Sequence, residues 1–431
     1  MNRSCLGRLC LFALVTLAPF ALAQEGAAEP SPYVTIVDHG RYFDVRIDYA
    51  GARRHRLSPR AIGREYGQKI LALGLPIEPM YDAVVSQTIS VMLDTGVIDE
   101  PEQAFAAVRH IKRQVPARYR AELEGLASVI ATAPRNELGD GRLSPGELDF
   151  LHLIQDTFRT QCSGVSVYGR RAARRETATA FLMDFFGREV LGHLHAVTTI
   201  SDGRRSLAMV GFLGILNSTV AVNDDGVFVG VPSSEVAAEY DPAGKRSVFF
   251  EVRAALEQHS TLRGVAAAMM KPRKQYAQGF NLSLADRHGA AILELDNLGH
   301  RGLRRAGSAL NPGVEPWPFR DAVATVNSFV LEGNTDNHTA DPVNFGRWNS
   351  YIAEIEATGP VTSLEELKRV VSFDGGDGPD DFLAGSGDIY NQWTLTVSVF
   401  VPAKRRLEVF FAPAEGPMPD HPDFVHVPLR F

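Results

Sequence analysis

A layered fold of α and β elements is what this sequence predicts, and three observations carry that reading. From Ser58 to about Phe158, apolar residues recur at three and four spacing, the period of helices. At Cys162 the pattern turns to strand-like alternation, and short apolar runs then recur between turn signals. Strands, then helices, then strands again run to the C-terminus, an order that stacks sheets against helices.

The first segment does not belong to that fold. Met1-Asn2-Arg3-Ser4-Cys5-Leu6-Gly7-Arg8 is a positively charged start, and an apolar run leads from it to Ala21-Leu22-Ala23-Gln24. This reads as a secretory signal, residues 1–23, removed after Ala23 and taking Cys5 and Cys10 with it. No later stretch is long enough for a membrane span. The mature protein is therefore expected to be exported, periplasmic or secreted, without stable insertion in a membrane. Of the 431 residues, 45% are hydrophobic and 22% charged, with a formal net charge of -7. That mildly acidic balance, with no interleaving of aromatic and basic residues, argues against nucleic acid as a partner. The basic run Gly169-Arg170-Arg171-Ala172-Ala173-Arg174-Arg175 reads as a solvated hairpin tip.

The elements come in order. Tyr33–Val37 and Tyr42–Asp48 are strand-like bursts. Ser58-Pro59 opens a helix, with Ser at the cap and Pro at the first position. Pro79–Thr95, Glu102–Gln114 and Ala117–Ala133 are helical, and Ser144-Pro145-Gly146-Glu147 starts another helix with a capping box. Cys162–Gly169 and Thr177–Phe185 form a hairpin with Cys162 and Asp184 near one end. Ser206–Leu213 and Gly226–Val231 are strands, the second entered through the turn Asn223-Asp224-Asp225-Gly226. Ser247–Lys271 is helical, Asn281–Ala285 and Ala290–Leu295 form a hairpin, Phe345–Ala357 is a helix, and Trp393–Phe400 and Arg406–Phe411 are the last strands.

The chemistry centres on Cys162, the one cysteine outside the first dozen residues. Exported proteins tend to pair their thiols or lose them, so a lone thiol is either a small buried hydrophobe or a nucleophile. Other constellations are weaker. Gly164-Val165-Ser166-Val167-Tyr168 lacks the last glycine of a serine-hydrolase elbow. His193 and His195 could share a strand face toward a metal but have no third ligand at an obvious spacing. Asn136 to Glu147 imitates a calcium loop with Leu138 where a ligand oxygen is needed, and Asp374 to Asp381 reads as an exposed acidic loop. No cofactor or metal is expected.

Several blocks, in shared order, resemble the N-terminal nucleophile hydrolases of the penicillin acyltransferase type, the C45 peptidases, with choloylglycine hydrolase, acid ceramidase and N-acylethanolamine acid amidase as more distant relatives. Gly63-Arg64-Glu65-Tyr66-Gly67 resembles an early Gly-x-x-x-Gly, and Glu122-Leu123-Glu124-Gly125-Leu126-Ala127 a helix of E-x-x-G-x-A type. Thr160-Gln161-Cys162-Ser163-Gly164 is similar to the processing point, and Met183-Asp184-Phe185 to the end of the second strand. Gly211 through Asn223-Asp224-Asp225-Gly226, the Leu284–Glu294 hairpin and Val326-Asn327-Ser328-Phe329 match later blocks.

The resemblance implies an α+β fold, a four-layer αββα sandwich preceded by a mainly helical pro-segment, residues 24–161. It implies self-cleavage between Gln161 and Cys162 to free residues 162–431 as the catalytic chain, the two pieces staying associated. The new α-amino group, with an ordinary pKa near 7.7 to 8.0, would serve as base to the Cys162 thiol. Cys162 would then attack a linear amide of a small N-acyl compound and form an acyl-thioester, released by water or an acceptor amine. By resemblance Asp184 orients the amine, Asn327 and the Asn223 region supply donors to the oxyanion, and Arg347 braces the Asn or the substrate. Asn223 is equally what a hairpin turn needs before Asp-Asp-Gly. One departure stands out: Phe181 holds the place where many relatives carry an arginine, with Arg170, Arg174 or Arg347 as replacements. Two alternatives remain, a catalytically silent ligand-binding member of the fold, and a papain-like pair of Cys162 with His338.

Overall fold

The computed structural model describes residues 33–234, 239–376, 378–379 and 387–431. The stretch read as a secretory signal, and Asp377, Asp380 and Asp381 of the acidic loop, lie outside them. Two short strands come first, β1 (Val34–Asp38) and β2 (Phe43–Asp48), then helices α1 (Tyr49–Arg54), α2 (Pro59–Leu71), α3 (Ile77–Asp94), α4 (Pro101–Lys112), α5 (Ala117–Ile130) and α6 (Pro145–Thr157). Local chemistry sets their starts: Ser58 accepts a hydrogen bond from the Ala61 N–H with Pro59 at the first position, and Ser144 and Glu147 form a reciprocal capping box.

After α6 the chain forms β3 (Gln161–Val167), β4 (Ala178–Asp184), α7 (Arg188–Leu191), β5 (His195–Ser201), β6 (Ser206–Phe212), β7 (Val220–Asn223), β8 (Phe228–Gly230) and β9 (Ser233–Ser234). Helices α8 (Val248–Gln258) and α9 (Leu262–Met269) come next, then β10 (Gly279–Asp286), β11 (Gly289–Leu295), β12 (Arg301–Arg304) and β13 (Ala322–Thr325). The chain ends with α10 (Pro342–Ala357), α11 (Leu364–Val370), β14 (Thr394–Val401), β15 (Arg406–Phe411) and β16 (Val425–Val427). The single helix expected over Ser247–Lys271 is two, because Thr261 opens α9 with its side chain on the Gly264 N–H.

The strands make two sheets. The first runs β1-β2-β5-β6-β7-β8-β10-β11-β12 with β9 on β10, and the second runs β13-β3-β4-β14-β15-β16. Their inner faces meet through rings such as Phe228 on Phe400 and Tyr42 on Phe411. The outer face of the second sheet, with Val165, Leu182 and Val399, packs on Trp348, Tyr351 and Ile355 of α10 and Leu367 and Val370 of α11. Helices α8 and α9 lie against β6, β7, β10 and β11 of the first sheet. Helix, sheet, sheet, helix is the αββα sandwich that the resemblance implies. The helical segment is tied into it: β2 pairs in parallel with β5, from Phe43 opposite Ala196 to Asp48 opposite Ser201.

Two sequence blocks singled out above meet as a helix crossing. α2 and α5 approach so closely that a β-carbon on Gly63 would overlap the carbonyl oxygen of Glu122, and one on Gly125 that of Arg60. Only glycine permits this backbone contact.

Candidate active site

The helical half of the chain hands over to sheet where Phe158, extended at the C-cap of α6, leads through Arg159 and Thr160 into β3. In the antiparallel β3–β4 pair, Gln161 lies opposite Asp184 and Cys162 opposite Met183. Strand alternation sends Cys162, Phe181 and Met183 between the sheets, and Ala180 and Leu182 toward α10 and α11.

The Cys162 thiol is unpaired and fully buried. Burial above all, and then the Asp184 carboxylate, push it up to about 12, while the Thr160 hydroxyl, the Asp184 N–H and Arg347 pull the other way. The thiol is thus protonated at neutral pH, and it would have to lose that proton to act as a nucleophile. The Thr160 hydroxyl lies 3.6 Å from the sulfur.

Asn327, two residues past β13, reaches the same point. Its Oδ1 accepts from the Cys162 N–H at 2.6 Å, and its Nδ2 donates to the Thr160 carbonyl at 2.9 Å and the Ser233 carbonyl at 2.6 Å. Both amide donors and the carbonyl are used, so the orientation of the side chain is fixed by chemistry. Ser233 grips the same residue: its hydroxyl accepts from the Thr160 N–H at 3.0 Å and donates to the Thr160 carbonyl at 2.9 Å. The residue immediately before the Gln161–Cys162 dipeptide is therefore held from both sides.

Asp184 ends β4 in a buried pair with Arg347 from α10, Nη2 to Oδ2 at 2.6 Å. Thr394 donates to its Oδ1 at 2.8 Å and Asn391 to its Oδ2 at 3.4 Å. Burial pushes the Asp184 carboxyl upward, and Arg347, Thr394 and Asn391 oppose that rise. Arg347 also donates to the Asp388 carbonyl at 2.9 Å and reaches the Gln161 Oε1 at 3.5 Å. It braces Asp184, not Asn327. The partner of the Cys162 N–H is Asn327 rather than Asp184. A groove of about 1420 Å³ opens beside Thr160, Gln161 and Asp184, with Phe158, Phe185 and Trp393 among its walls.

Cys162, Asp184, Asn327, Arg347 and Gln161 are thus brought together; Asn223 is not. Its two amide donors go to the Leu256 and His259 carbonyls at the end of α8, and its Oδ1 accepts from the Val227 N–H, which leaves no donor for an oxyanion. It closes a turn and a helix end. Ser233, missed in the sequence, stands in the site instead. Its setting Pro232-Ser233-Ser234 carries no periodicity or motif, and its contact with Thr160 spans 73 positions of the chain.

Other candidates resolve as structure. His338 bonds the Ser328 hydroxyl through Nδ1 at 2.6 Å and lies against Phe345 and Trp348, so no Cys162–His338 pair is assembled. Burial lowers it to about 4. Phe181 fills the space between the sheets beside Gly230, and Arg170 and Arg174 sit at the far end of the hairpin, a strand length of about 20 Å from Cys162. They do not replace the missing arginine. His195 bonds the Ala412 carbonyl between Phe212 and Phe411. In the calcium-like loop Asp82 takes the Gly139 and Gly141 N–H groups. Among the described residues no group of three or more His, Cys, Asp or Glu is placed to hold a metal ion, and no helix is long and apolar enough to cross a membrane.

No family model matches the chain, and no curated protein matches it. Among solved structures, a Caenorhabditis elegans ortholog of N-acylethanolamine-hydrolyzing acid amidase superposes with a TM-score of 0.40 at 12% identity, over 56% of this chain and 93% of its own. Penicillin V acylase from Agrobacterium tumefaciens gives 0.35 at 14% identity, over 58% and 83%. A mutant of conjugated bile acid hydrolase from Clostridium perfringens gives 0.35 at 10% identity, over 62% and 97%.

Proposed function

We propose that this protein is an exported, self-processing cysteine hydrolase or acyltransferase of the N-terminal nucleophile type, which cleaves a linear amide bond of a small N-acyl compound. One observation carries the reading: the N–H of a lone cysteine at a strand start is held at 2.6 Å by the side chain of Asn327, whose donors bind the Thr160 carbonyl just upstream and the Ser233 carbonyl. Self-cleavage begins when the Cys162 sulfur attacks the Gln161 carbonyl carbon. The C–N bond breaks, the thiol proton ends on the departing nitrogen, and water then hydrolyses the Gln161 thioester, leaving a Gln161 carboxylate and a free thiol. The nitrogen that Asn327 holds is now an α-amine beside its own sulfur, able to take the thiol proton when Cys162 attacks a substrate carbonyl and to pass it to the leaving amine. Withdrawal of Thr160 would free one Asn327 donor and the Ser233 hydroxyl for the oxygen that becomes negative.

A silent, ligand-binding member of the fold is the second reading, favoured by Phe181 in the place of a charged residue and by the buried thiol. One experiment separates the two. The purified wild-type protein, weighed by mass spectrometry, should be two associated fragments, residues 24–161 and 162–431, while Cys162→Ala remains a single chain. An intact wild-type chain would sink the self-processing mechanism.

A further inference from the structure

The stretch Val326–Ser328 carries Asn327 but belongs to no regular element, so something else must set where that side chain points. Two further asparagines do this from opposite layers of the sandwich. Asn281, on β10 of the first sheet, spends both amide hydrogens on the carbonyls that flank Asn327, Val326 at 2.9 Å and Ser328 at 2.8 Å. Asn344, in the first turn of α10, accepts from the Asn327 N–H with its Oδ1 at 2.9 Å. Its own Nδ2 donates to Oδ2 of Asp341 at 2.7 Å, and Asp341 caps α10 by accepting the Val343 and Asn344 N–H groups. All three asparagines are buried. The Val326 carbonyl and the Asn327 N–H belong to one peptide group, so the two asparagines fix the plane that leads into Asn327, and the hold on the Ser328 carbonyl restrains the chain just beyond it. A misplacement of about 1 Å at such a group costs on the order of 10²-fold in rate.

We propose that Asn281 and Asn344 are positioning residues for Asn327, clamping its backbone so that its amide meets the Cys162 nitrogen and the Thr160 carbonyl on either side of Gln161. The inference rests on the self-processing reading above, and self-cleavage of the full-length chain provides a readout that needs no outside substrate. Precursor made at low temperature is warmed, and cleavage at Gln161–Cys162 is tracked on gels, with near-ultraviolet circular dichroism to show that each variant is folded. Asn281→Ala is expected to slow cleavage about 10-fold or more, and Asn327→Ala about 10²-fold or more. In the double variant Asn281→Ala should add less than about twofold, because there is no longer an amide to aim. Asn344→Ala, which removes the acceptor for the Asn327 N–H, should also slow cleavage, and on top of Asn327→Ala it should add less than about twofold.

An unchanged rate in Asn281→Ala, or a slowing that multiplies fully with Asn327→Ala, overturns the positioning role. So does an unchanged rate in Asn344→Ala, or a slowing that multiplies fully with Asn327→Ala. If Asn281→Ala does not fold, the isosteric Asn281→Asp, which keeps the volume and lacks the donors, takes its place in the same cycle. A wild-type chain that never cleaves refutes the proposed chemistry itself, and the positioning role falls with it; a cleaving wild type with indifferent variants refutes the positioning alone.

Discussion

Asn327 has every hydrogen-bonding atom of its side chain committed while the chain is uncut. Under the proposed mechanism, catalysis on an outside substrate needs one of those donors back, and the donor on the Thr160 carbonyl is the one that self-cleavage would release. In mature protein, Asn327→Ala should lower kcat by about 10²–10³, with a smaller change in KM, because an oxyanion donor acts mostly in the transition state. Asn327→Asp should be worse, since a carboxylate repels the developing charge. Steady-state kinetics on a cleaved amide probe decide it: an unchanged kcat with a raised KM would make Asn327 a binding residue. Asn327 is conspicuous in the sequence because an amide in the apolar run Val323–Phe329 must find partners. Asn223 is equally prominent there yet closes a turn, and Ser233 leaves no mark, because hydrogen bonds between distant segments have no local pattern.

At the scale of elements, the helices are the most legible part of the chain. Ser58-Pro59 and Ser144-Pro145 announce their own starts, and the observed α2 and α6 begin at those prolines. Strands β12 and β13 are not legible as strands because their neighbours define them more than their residues do, whereas β5 and β7 carry Val, Thr and Ile of their own; β13, Ala-Val-Ala-Thr, becomes a strand by pairing with β3. The glycine blocks near the start are visible in the sequence, but that they touch one another is not. Gly125→Ala places a methyl group against a backbone carbonyl of α2, which cannot rotate out of the way. It should cost about 2–3 kcal/mol through forced separation of the two helices. Urea unfolding of uncut Cys162→Ala with and without this change measures it, and a loss below about 0.5 kcal/mol would mean that the crossing has slack.

For the whole molecule, the contacts that matter most join the segment before Cys162 to the segment after it. Glu122 of α5 meets Arg253 of α8 in a fully buried pair at 2.7 Å, and Asp156 of α6 accepts the Val248 N–H at the start of α8. Burial lifts the Asp156 carboxyl from the usual range to about 7, against the pull of Ser247 and the Val248 N–H. The folded state therefore retains a proton that the unfolded chain gives up near pH 4. This contribution to stability is complete below about pH 4 and is lost as pH rises through about 7. In uncut Cys162→Ala, stability should fall by about 2–3 kcal/mol more between pH 5 and pH 8 than when Asp156→Asn is added, since the amide keeps the acceptor and has no proton to lose. Parallel slopes in urea titrations would mean that Asp156 is ionised throughout. If the chain is cut before Cys162 as proposed, the parallel register of β2 on β5 has a further consequence. Before cleavage the two strands find each other within one polypeptide, at the effective concentration of a tethered pair. Afterwards the same ladder joins separate molecules, so a cut protein that unfolds must reassemble by collision. Its persistence is then governed by how slowly it opens rather than by how favourably it closes.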